Sequence, residues 1–300
     1  MSNPQKLGYH TIGDCWLENK LHVCFVTSDL YYEIATELHS SVLEHHVGYI
    51  NALFRVQLRG TYKEHIMSNY RIIVMIPARL GSKRIFQKNI RLLNGKPLIL
   101  YPIDLVKNTG LVDEIWVNTE DEALGRYCET HGAMFHKRPP ELANDSATNR
   151  DFVYEFLKYH VCDYIIMANT TSPLLREDTF RNFLNHIDKH DYDVTLSVIE
   201  EKAETFFKGK PLNFNLTEKL NSQLLEPTFK IVWALTAWKR DTFLNLQENG
   251  VNPVFGGKVG TFIIPKDESC DLDTEEDWAI AEGILLSRQN RTKIDYIKIE

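Results

Sequence analysis

The amino-acid sequence predicts an α/β protein with a mostly parallel, doubly wound sheet and an N-terminal appendage. From Arg71 onward, short apolar runs alternate with longer amphipathic stretches, which is typical of strands alternating with helices. Residues 1–68 lack this alternation, so we treat them as a separate appendage. The observations together predict a sheet with helices on both faces.

Each apolar run predicts a strand, and each amphipathic stretch predicts a helix. The predicted strands span residues 71–76, 114–118, 163–168, 193–199, 230–236 and 259–264. The predicted helices span residues 98–107, 122–131, 151–159, 177–190 and 275–287. In such sheets a ligand binds beyond the carboxyl ends of the strands, where several loops converge. We therefore expect the functional residues in those loops.

The predicted organisation has three parts. Residues 1–68 form an appendage with an apolar run at 21–26 and a helix predicted over 29–45. Residues 69–288 form the main domain, and residues 289–300 form a charged C-terminal tail. The appendage carries no chemical motif, so the sequence assigns it no role.

Composition and charge exclude several classes of protein. The formal net charge of −7 argues against a general nucleic-acid binder, although a single nucleotide needs only a few local cations. The five cysteines include no C-x-x-C pair, which disfavours a zinc site and a disulfide framework. No apolar run approaches the roughly 20 residues of a membrane span, and no signal pattern opens the chain. We expect a cytoplasmic protein.

The first chemical segment, residues 76–89, follows the first predicted strand of the main domain. Gly81 and Ser82 allow a tight turn whose backbone N–H groups can face a polyphosphate. Four basic side chains surround this turn: Arg79, Lys83, Arg84 and Lys88. The segment lacks the spacing of a Walker A loop. A solvated basic loop is the alternative to a phosphate site.

The second segment spans residues 138–148 and leads into a predicted helix. Asp145, Ser146 and Thr148 are residue types suited to capping that helix. A helix N-terminus directed at the same crevice would also favour an anionic ligand. Capping and ligand binding therefore both remain open for this segment.

The third segment spans residues 169–176 and directly follows the strand predicted at 163–168. Asn169, Thr171 and Ser172 place polar side chains at the carboxyl end of that strand, where a substrate is expected. The alternative is that Ser172 and Pro173 begin the next helix.

The fourth segment carries two aspartates separated by one residue. In extended backbone, Asp271 and Asp273 can direct both carboxylates to one side. Two carboxylates together with phosphate oxygens and water form a usual set of Mg²⁺ ligands. The alternative is that Asp273 or Thr274 caps the helix that begins near Glu275.

These four segments, in this order and spacing, resemble the CMP-sugar synthetases that act on nonulosonic acids such as sialic acid. The pattern A-R-x-x-S-K-x-x-x-x-K-N matches Ala78, Arg79, Ser82, Lys83, Lys88 and Asn89. The pattern R-P-x-E-L-A-x-D matches Arg138, Pro139, Glu141, Leu142, Ala143 and Asp145. The patterns T-S-P-L and D-x-D-T-x-x-D match residues 171–174 and 271–277. The resemblance covers about residues 70–288 and implies a Rossmann-like nucleotide-diphospho-sugar transferase architecture.

The resemblance implies that the anomeric hydroxyl of a 2-keto-3-deoxy sugar acid attacks the α-phosphorus of CTP and releases pyrophosphate. It implies catalytic roles for Arg79, Lys88 and Asp273. It implies nucleotide binding by Arg79, Gly81, Ser82, Lys88, Asn89, Arg138, Asp145 and Ser146. It implies acceptor binding by Asn169, Thr171, Ser172 and Lys230, and Mg²⁺ binding by Asp271 and Asp273. The general base remains open.

The departures from the family pattern concern mostly the acceptor side. Asn169 stands in place of glutamine, Lys230 in place of arginine, and residues 232–234 in place of Asn-Gly-Ala. Lysine is a point charge, whereas arginine can bind a carboxylate through two parallel hydrogen bonds. An octulosonate or a phosphonate therefore stays open as the acceptor. We interpret Trp233 and Trp238 as core residues rather than acceptor contacts.

Two further expectations concern partners and class. The resemblance implies a homodimer, with residues 200–227 as a possible dimerisation excursion that Phe206, Phe207 and Phe214 would anchor. The competing class is a non-catalytic nucleotide-binding protein. The Asp271 and Asp273 pair argues against that class, because a protein that only binds has less need of a metal site.

Overall fold

The computed structural model describes two compact units of the chain, residues 1–60 and residues 61–300. It describes the backbone of residues 13–17, 20–26 and 31–36, and all atoms of residues 70–82 and 84–290. In these ranges, no helix combines the length and the apolar character needed to cross a membrane.

The first unit contains an antiparallel sheet of three strands. The strands are β1 (Gly13–Leu17), β2 (Lys20–Val26) and β3 (Tyr31–Thr36). The helix predicted over residues 29–45 is therefore wrong at β3, and residues 37–45 lie outside the described ranges. Tyr31, Tyr32, Ile34 and Thr36 are aromatic or β-branched, and such side chains favour extended backbone.

The second unit is built on a sheet of seven strands. The strands of the unit are β4 (Ile72–Pro77), β5 (Leu92–Leu93), β6 (Lys96–Pro97), β7 (Glu114–Thr119), β8 (Met134–Lys137), β9 (Tyr164–Ala168), β10 (Val194–Glu201), β11 (Phe206–Phe207), β12 (Lys210–Pro211), β13 (Thr228–Lys239) and β14 (Val259–Ile263). Of these, β5 pairs with β6 and β11 pairs with β12 in two short hairpins, and the other seven form the sheet. Its helices are α1 (Leu100–Thr109), α2 (Glu122–Thr130), α3 (Asn149–Leu157), α4 (Glu177–Lys189), α5 (Arg240–Glu248) and α6 (Glu275–Gln289). β8 and α5 were not among the elements predicted from the sequence.

The strand order of the large sheet is β14-β10-β13-β9-β4-β7-β8. Neighbouring strands are parallel except at β13, which is antiparallel to both β9 and β10. The prediction of a mostly parallel sheet is confirmed. Because β13 runs in reverse, its first half extends past the carboxyl end of β9, where the next residue is Asn169.

Buried side chains cover both faces of this sheet. Along β4, Ile73 and Met75 pack on the face covered by α3, while Ile72, Val74 and Ile76 pack on the face covered by α1 and α4. Such a doubly covered strand reads as a continuous apolar run. Trp238 is fully buried in the α3 face, which confirms its interpretation as a core residue.

Candidate active site

A cleft of roughly 230 Å³ is lined by residues that follow the carboxyl ends of β4, β8 and β9. Its lining combines residues of the first three chemical segments. The charged and polar members are Arg79, Ser82, Arg84, Lys88, Asn89, Arg138, Asn144, Asp145, Asn169, Thr170 and Thr171. The convergence of loops at this edge of the sheet is the arrangement that the sequence predicts.

The first segment begins where β4 ends and is anchored by the buried side chain of Ile85. Its left-handed residue is Gln87, with φ of 47°, and it precedes a short 3-10 helix over Lys88–Ile90. Gly81 lacks a positive φ, and a Cβ placed there would meet no atom within 4 Å. The turn therefore does not draw on the conformational freedom of glycine at position 81. Lys83 lies outside the described residues.

Lys88 belongs to the first segment and contacts the fourth. Its partly buried ammonium donates a hydrogen bond to the carbonyl oxygen of Leu272 at 2.5 Å, and its Nζ lies 3.6 Å from Asp273 Oδ1. Burial lowers the pKa of Lys88, and the charges of Asp273 and Asp271 act in the opposite direction. A cation held in this way, away from bulk water, interacts strongly with a nearby anion.

Asn89 joins the first segment to the third. The side chain is buried, its Nδ2 donates to the carbonyl oxygen of Arg79 at 2.8 Å, and its Oδ1 accepts from Thr170 Oγ1 at 2.7 Å. These two bonds fix the backbone from which the Arg79 side chain projects into the cleft.

Arg138 is held at the inner end of the cleft by Asn118, a residue that the sequence analysis did not select. Arg138 Nε donates to Asn118 Oδ1 at 2.6 Å, and its NH2 donates to the Asn118 carbonyl oxygen at 2.9 Å. The guanidinium also lies 4.5 Å from the Phe152 ring centroid. Burial lowers the pKa of Arg138 to about 10. The signal for Asn118 was a polar residue directly after the apolar run 115–117.

The second segment places Asp145 opposite Arg79, with Asp145 Oδ1 2.8 Å from Arg79 NH1. Neither Asp145 nor Ser146 caps α3; Thr148 is the N-cap, and its N–H and hydroxyl donate to the Asp151 carboxylate. The turn before the helix is instead organised by Asn144, whose Oδ1 accepts from the N–H and hydroxyl of Ser146.

The third segment leaves β9 and contacts both β13 and the fourth segment. Asn169 Nδ2 donates to the carbonyl oxygen of Trp233 at 2.5 Å. The carbonyl oxygen of Thr171 accepts from Leu272 N–H at 2.9 Å, and the Thr171 side chain hydrogen-bonds to Asp271. Ser172 is buried, and its N–H donates to the carbonyl oxygen of Asn169.

In the fourth segment the two aspartates flank Leu272, which is fully buried. Asp271 keeps an exposed surface, but protein atoms surround its carboxyl group. This partial burial raises the pKa of Asp271. Asp273 Oδ2 lies 2.8 Å from Arg84 NH1. Thr274 caps α6, so helix capping does not occupy either aspartate.

Residues 73–264 match the sequence model of the family described as Cytidylyltransferase. The chain belongs to this cytidylyltransferase family. The match ends before the fourth segment.

Curated relatives of this cytidylyltransferase support the assignment. N-acylneuraminate cytidylyltransferase A of Danio rerio is 30% identical over 72% of this chain and 51% of its own length. N-acylneuraminate cytidylyltransferase of Streptococcus agalactiae serotype V is 29% identical over 75% of this chain and 56% of its own. The chain thus spans about half the length of these two relatives. The Post-translational flagellin modification protein B of Campylobacter coli is 25% identical over 74% of this chain and 98% of its own length.

Solved structures show the same fold as this cytidylyltransferase. CMP:2-keto-3-deoxy-manno-octonic acid synthetase complexed with CTP has a TM-score of 0.54 at 18% identity, covering 73% of this chain and 99% of that one. The 4-diphosphocytidyl-2C-methyl-D-erythritol synthase of Anaerococcus prevotii has a TM-score of 0.56 at 14% identity, covering 73% and 98%. The predicted fold class is confirmed.

The residues expected to be functional in this cytidylyltransferase divide into three groups. Those that line the cleft are Arg79, Ser82, Lys88, Asn89, Arg138, Asp145, Asn169 and Thr171. Asp271 and Asp273 adjoin the cleft through their neighbours Thr171 and Lys88. Those outside the lining are Gly81, Ser146, Ser172 and Lys230. Lys230 is exposed on β13, where its backbone faces that of Ile199.

Proposed function

We propose that this chain transfers CMP from CTP to the anomeric hydroxyl of a 2-keto-3-deoxy sugar acid, a sialic-acid-like nonulosonate, and releases pyrophosphate. The observation that carries the proposal is the cleft itself, because Arg79, Lys88 and Arg138 reach it from two separate loops beside a pair of carboxylates. The relatives named N-acylneuraminate cytidylyltransferase support the same reaction.

We assign the triphosphate of CTP to Arg79, Ser82 and Lys88. Lys88 is mostly enclosed, with 12% of its side chain exposed, and is held by the Leu272 carbonyl, so its charge is fixed in place before negative charge develops on the departing pyrophosphate. A preorganised cation of this kind stabilises such a transition state without reorganising at the moment of reaction. A phosphate oxygen would compete with Asp145 for Arg79 as CTP enters.

We assign the cytidine and ribose of CTP to Asn89, Arg138 and Asp145. Gly81 and Ser146, which lie in the same two segments, would contribute their backbone to nucleotide binding. Arg138 uses Nε and one N–H of NH2 for Asn118, so its remaining donors can serve the nucleotide. Because Asn118 and Phe152 fix the guanidinium plane, the positions of those donors are set by the fold.

We assign the binding of Mg²⁺ to Asp271 and Asp273. Carboxylate oxygens suit this cation, and capping of α6 by Thr274 uses neither carboxylate, so Mg²⁺ would compete with Arg84 for Asp273. In the described ranges no three His, Cys, Asp or Glu side chains gather as a metal site, so phosphate oxygens and water would complete the ligand set. When bound, Mg²⁺ supplies positive charge to the phosphates.

The acceptor would bind to Asn169 and Thr171, which line the cleft. Ser172 would support their loop, and Lys230 lies outside the cleft lining. Asn169 already donates to Trp233, and Lys230 is exposed outside the cleft lining. This arrangement favours a second candidate function, the same cytidylyl transfer to an octulosonate or a phosphonate. The nucleotide half of the site is common to both candidates.

We further propose the organisation and location of the enzyme. Residues 69–288 would form the catalytic domain, which contains the family match over 73–264. A homodimer would form through residues 200–227, because Phe206, Phe207 and Leu216 expose large apolar side chains there. A cytoplasmic location is supported by the free thiols of Cys128, Cys162 and Cys270.

The test is release of pyrophosphate from CTP and Mg²⁺, with and without N-acetylneuraminic acid, beside ATP, GTP and UTP. Release that requires both CTP and the acid supports the proposal. Lys88→Met should lower kcat/KM by at least about 100-fold, as loss of one preorganised charge does. Lys96→Met is the matched control, because Lys96 pairs with Asp104 outside the cleft lining. If Lys88→Met and Lys96→Met are equally active, the proposed site is wrong.

A further inference from the structure

Trp233 has a backbone conformation that large side chains rarely adopt. Its φ is 43°, in the left-handed region. A bulky residue there is strained, and such strain persists only where surrounding contacts hold it. Trp233 lies in β13, immediately before the stretch of that strand which pairs with β9. Contacts with neighbouring residues must therefore offset the strain at Trp233.

Two neighbouring strands hold the irregular part of β13 around Trp233. Leu196 pairs with Thr236 but Val198 pairs with Ile231, so β13 carries extra residues opposite Ser197. The buried Ser197 hydroxyl accepts from the N–H of Leu235 at 3.0 Å. A β-bulge of this kind often redirects one strand beside a functional site.

The other side of the bulge is held by Asn169, which lines the cleft. Asn169 N–H donates to the Ala234 carbonyl oxygen at 3.2 Å, and Asn169 Nδ2 donates to the Trp233 carbonyl oxygen at 2.5 Å. A carbonyl oxygen only accepts, so the amide nitrogen of Asn169 must face Trp233. Asn169 Oδ1 then lies on the opposite side of the amide, and no residue in the described ranges donates to it.

We propose that Trp233 is a positioning residue that sets the acceptor preference of the cleft. Its left-handed backbone directs its carbonyl oxygen at Asn169 and so fixes the Asn169 amide with Oδ1 available to the acceptor. An acceptor that binds well must then bring a hydroxyl or an N–H to this point, not its carboxylate. This inference rests on the proposed function, since it concerns the acceptor half of the same site.

The backbone of Trp233, rather than its indole, carries this role. The indole packs beside the α3 face of the sheet, and its ring centroid lies 5.7 Å from that of Phe255. It is absent from the cleft lining. Variants that lack the indole but differ in their tolerance of positive φ therefore separate the two contributions.

The decisive comparison is between Trp233→Gly and Trp233→Val in the full chain. Both variants lose the indole, but glycine adopts a positive φ freely and a β-branched residue does not. With N-acetylneuraminic acid as acceptor, KM for the acid should be about ten-fold higher in Trp233→Val than in Trp233→Gly, as expected for one lost hydrogen bond. KM for CTP should be the same in both. Trp233→Asn should resemble Trp233→Gly, because asparagine tolerates the left-handed region.

A second variant protects the test against misfolding of Trp233→Val. Asn169→Asp has the same size but cannot donate to the Trp233 carbonyl, so KM for the acid should again rise by about ten-fold. Thermal unfolding of each variant reports whether it is folded. Equal KM values for the acid in the glycine and valine variants, or an unchanged KM in Asn169→Asp, would overturn the proposal.

An NMR readout separates this proposal from the proposed function. The side-chain amide signals of Asn169, assigned by their loss in Asn169→Asp, should move in Trp233→Val and stay in place in Trp233→Gly. If the wild-type chain does not turn over N-acetylneuraminic acid, the proposed function fails for that acid. The amide signals still decide whether Trp233 positions Asn169, and equal signals in both variants would refute it.

Discussion

Replacing Asn118 by alanine should destabilise the second unit and weaken CTP binding together. Asn118 is fully buried and accepts from Arg138 Nε at 2.6 Å, while Arg138 itself is only 3% exposed. Removing one partner of a buried charge costs about 3–5 kcal/mol. Arg138 keeps its bond to the Asn118 carbonyl and its contact with Phe152, so we expect the lower end, about 3 kcal/mol.

Urea unfolding measures this loss. With an m value of about 3 kcal/mol/M, the unfolding midpoint should fall by roughly 1 M while m stays constant. Calorimetric titration should show weaker binding of CTP. Asn118→Asp is the matched control, because a carboxylate still accepts from Arg138 and adds an opposite charge. If Asn118→Ala lost less than about 1 kcal/mol, Arg138 would not depend on Asn118, and the reasoning would be refuted.

Three further predictions test other parts of the molecule. Burial lowers the pKa of His160 to about 4, so the folded state binds fewer protons than the unfolded state between pH 6.5 and 4. Unfolding free energy should therefore fall by about 1–2 kcal/mol as pH drops through this window, less than the roughly 3 kcal/mol of the full shift because the ring is partly solvated. The fall should be less steep in His160→Gln by urea unfolding at each pH, and equal slopes would contradict this. Asp273→Ala should abolish turnover with little loss of stability, whereas Asp277→Ala breaks the Thr274 capping box and should cost about 1 kcal/mol while retaining turnover; the opposite pattern in paired assays would exclude Asp273 from the chemistry. Phe207→Asp should convert a dimer to a monomer in sedimentation velocity, and an unchanged dimer would place the interface elsewhere.

The sequence was sufficient to predict the sheet and the convergence of the cleft. Parallel strands end at one edge, so polar segments that follow different strands must meet there. Lys88, Arg138 and Asn169 accordingly line one cleft although they are far apart in the chain. The spacing of two aspartates around Leu272 predicted their alternation, and Leu272 between them is fully buried.

The remaining features depend on contacts that one sequence does not reveal. Asn144 organises the turn before α3 and Thr148 caps the helix, so the equally suitable Asp145 is left facing Arg79. Several neighbouring residues had similar capping propensity, and tertiary contacts decided among them. The positive φ of Trp233 was hidden in an apolar run that simply predicted a strand, because pattern alone carries no sign of a bulge.

Leu272 has a consequence for how sequence variants of this chain should be interpreted. It touches no proposed ligand, yet its N–H is bonded to Thr171, its carbonyl to Lys88, and its side chain is enclosed in an apolar cluster with Ile85 and Trp278. Leu272 therefore fixes the positions of Asp271, Asp273 and Lys88 relative to one another. A saturation screen for activity should therefore rank position 272 with Asp271 and Asp273. A substitution of Leu272 should lower activity as much as a substitution of either aspartate does.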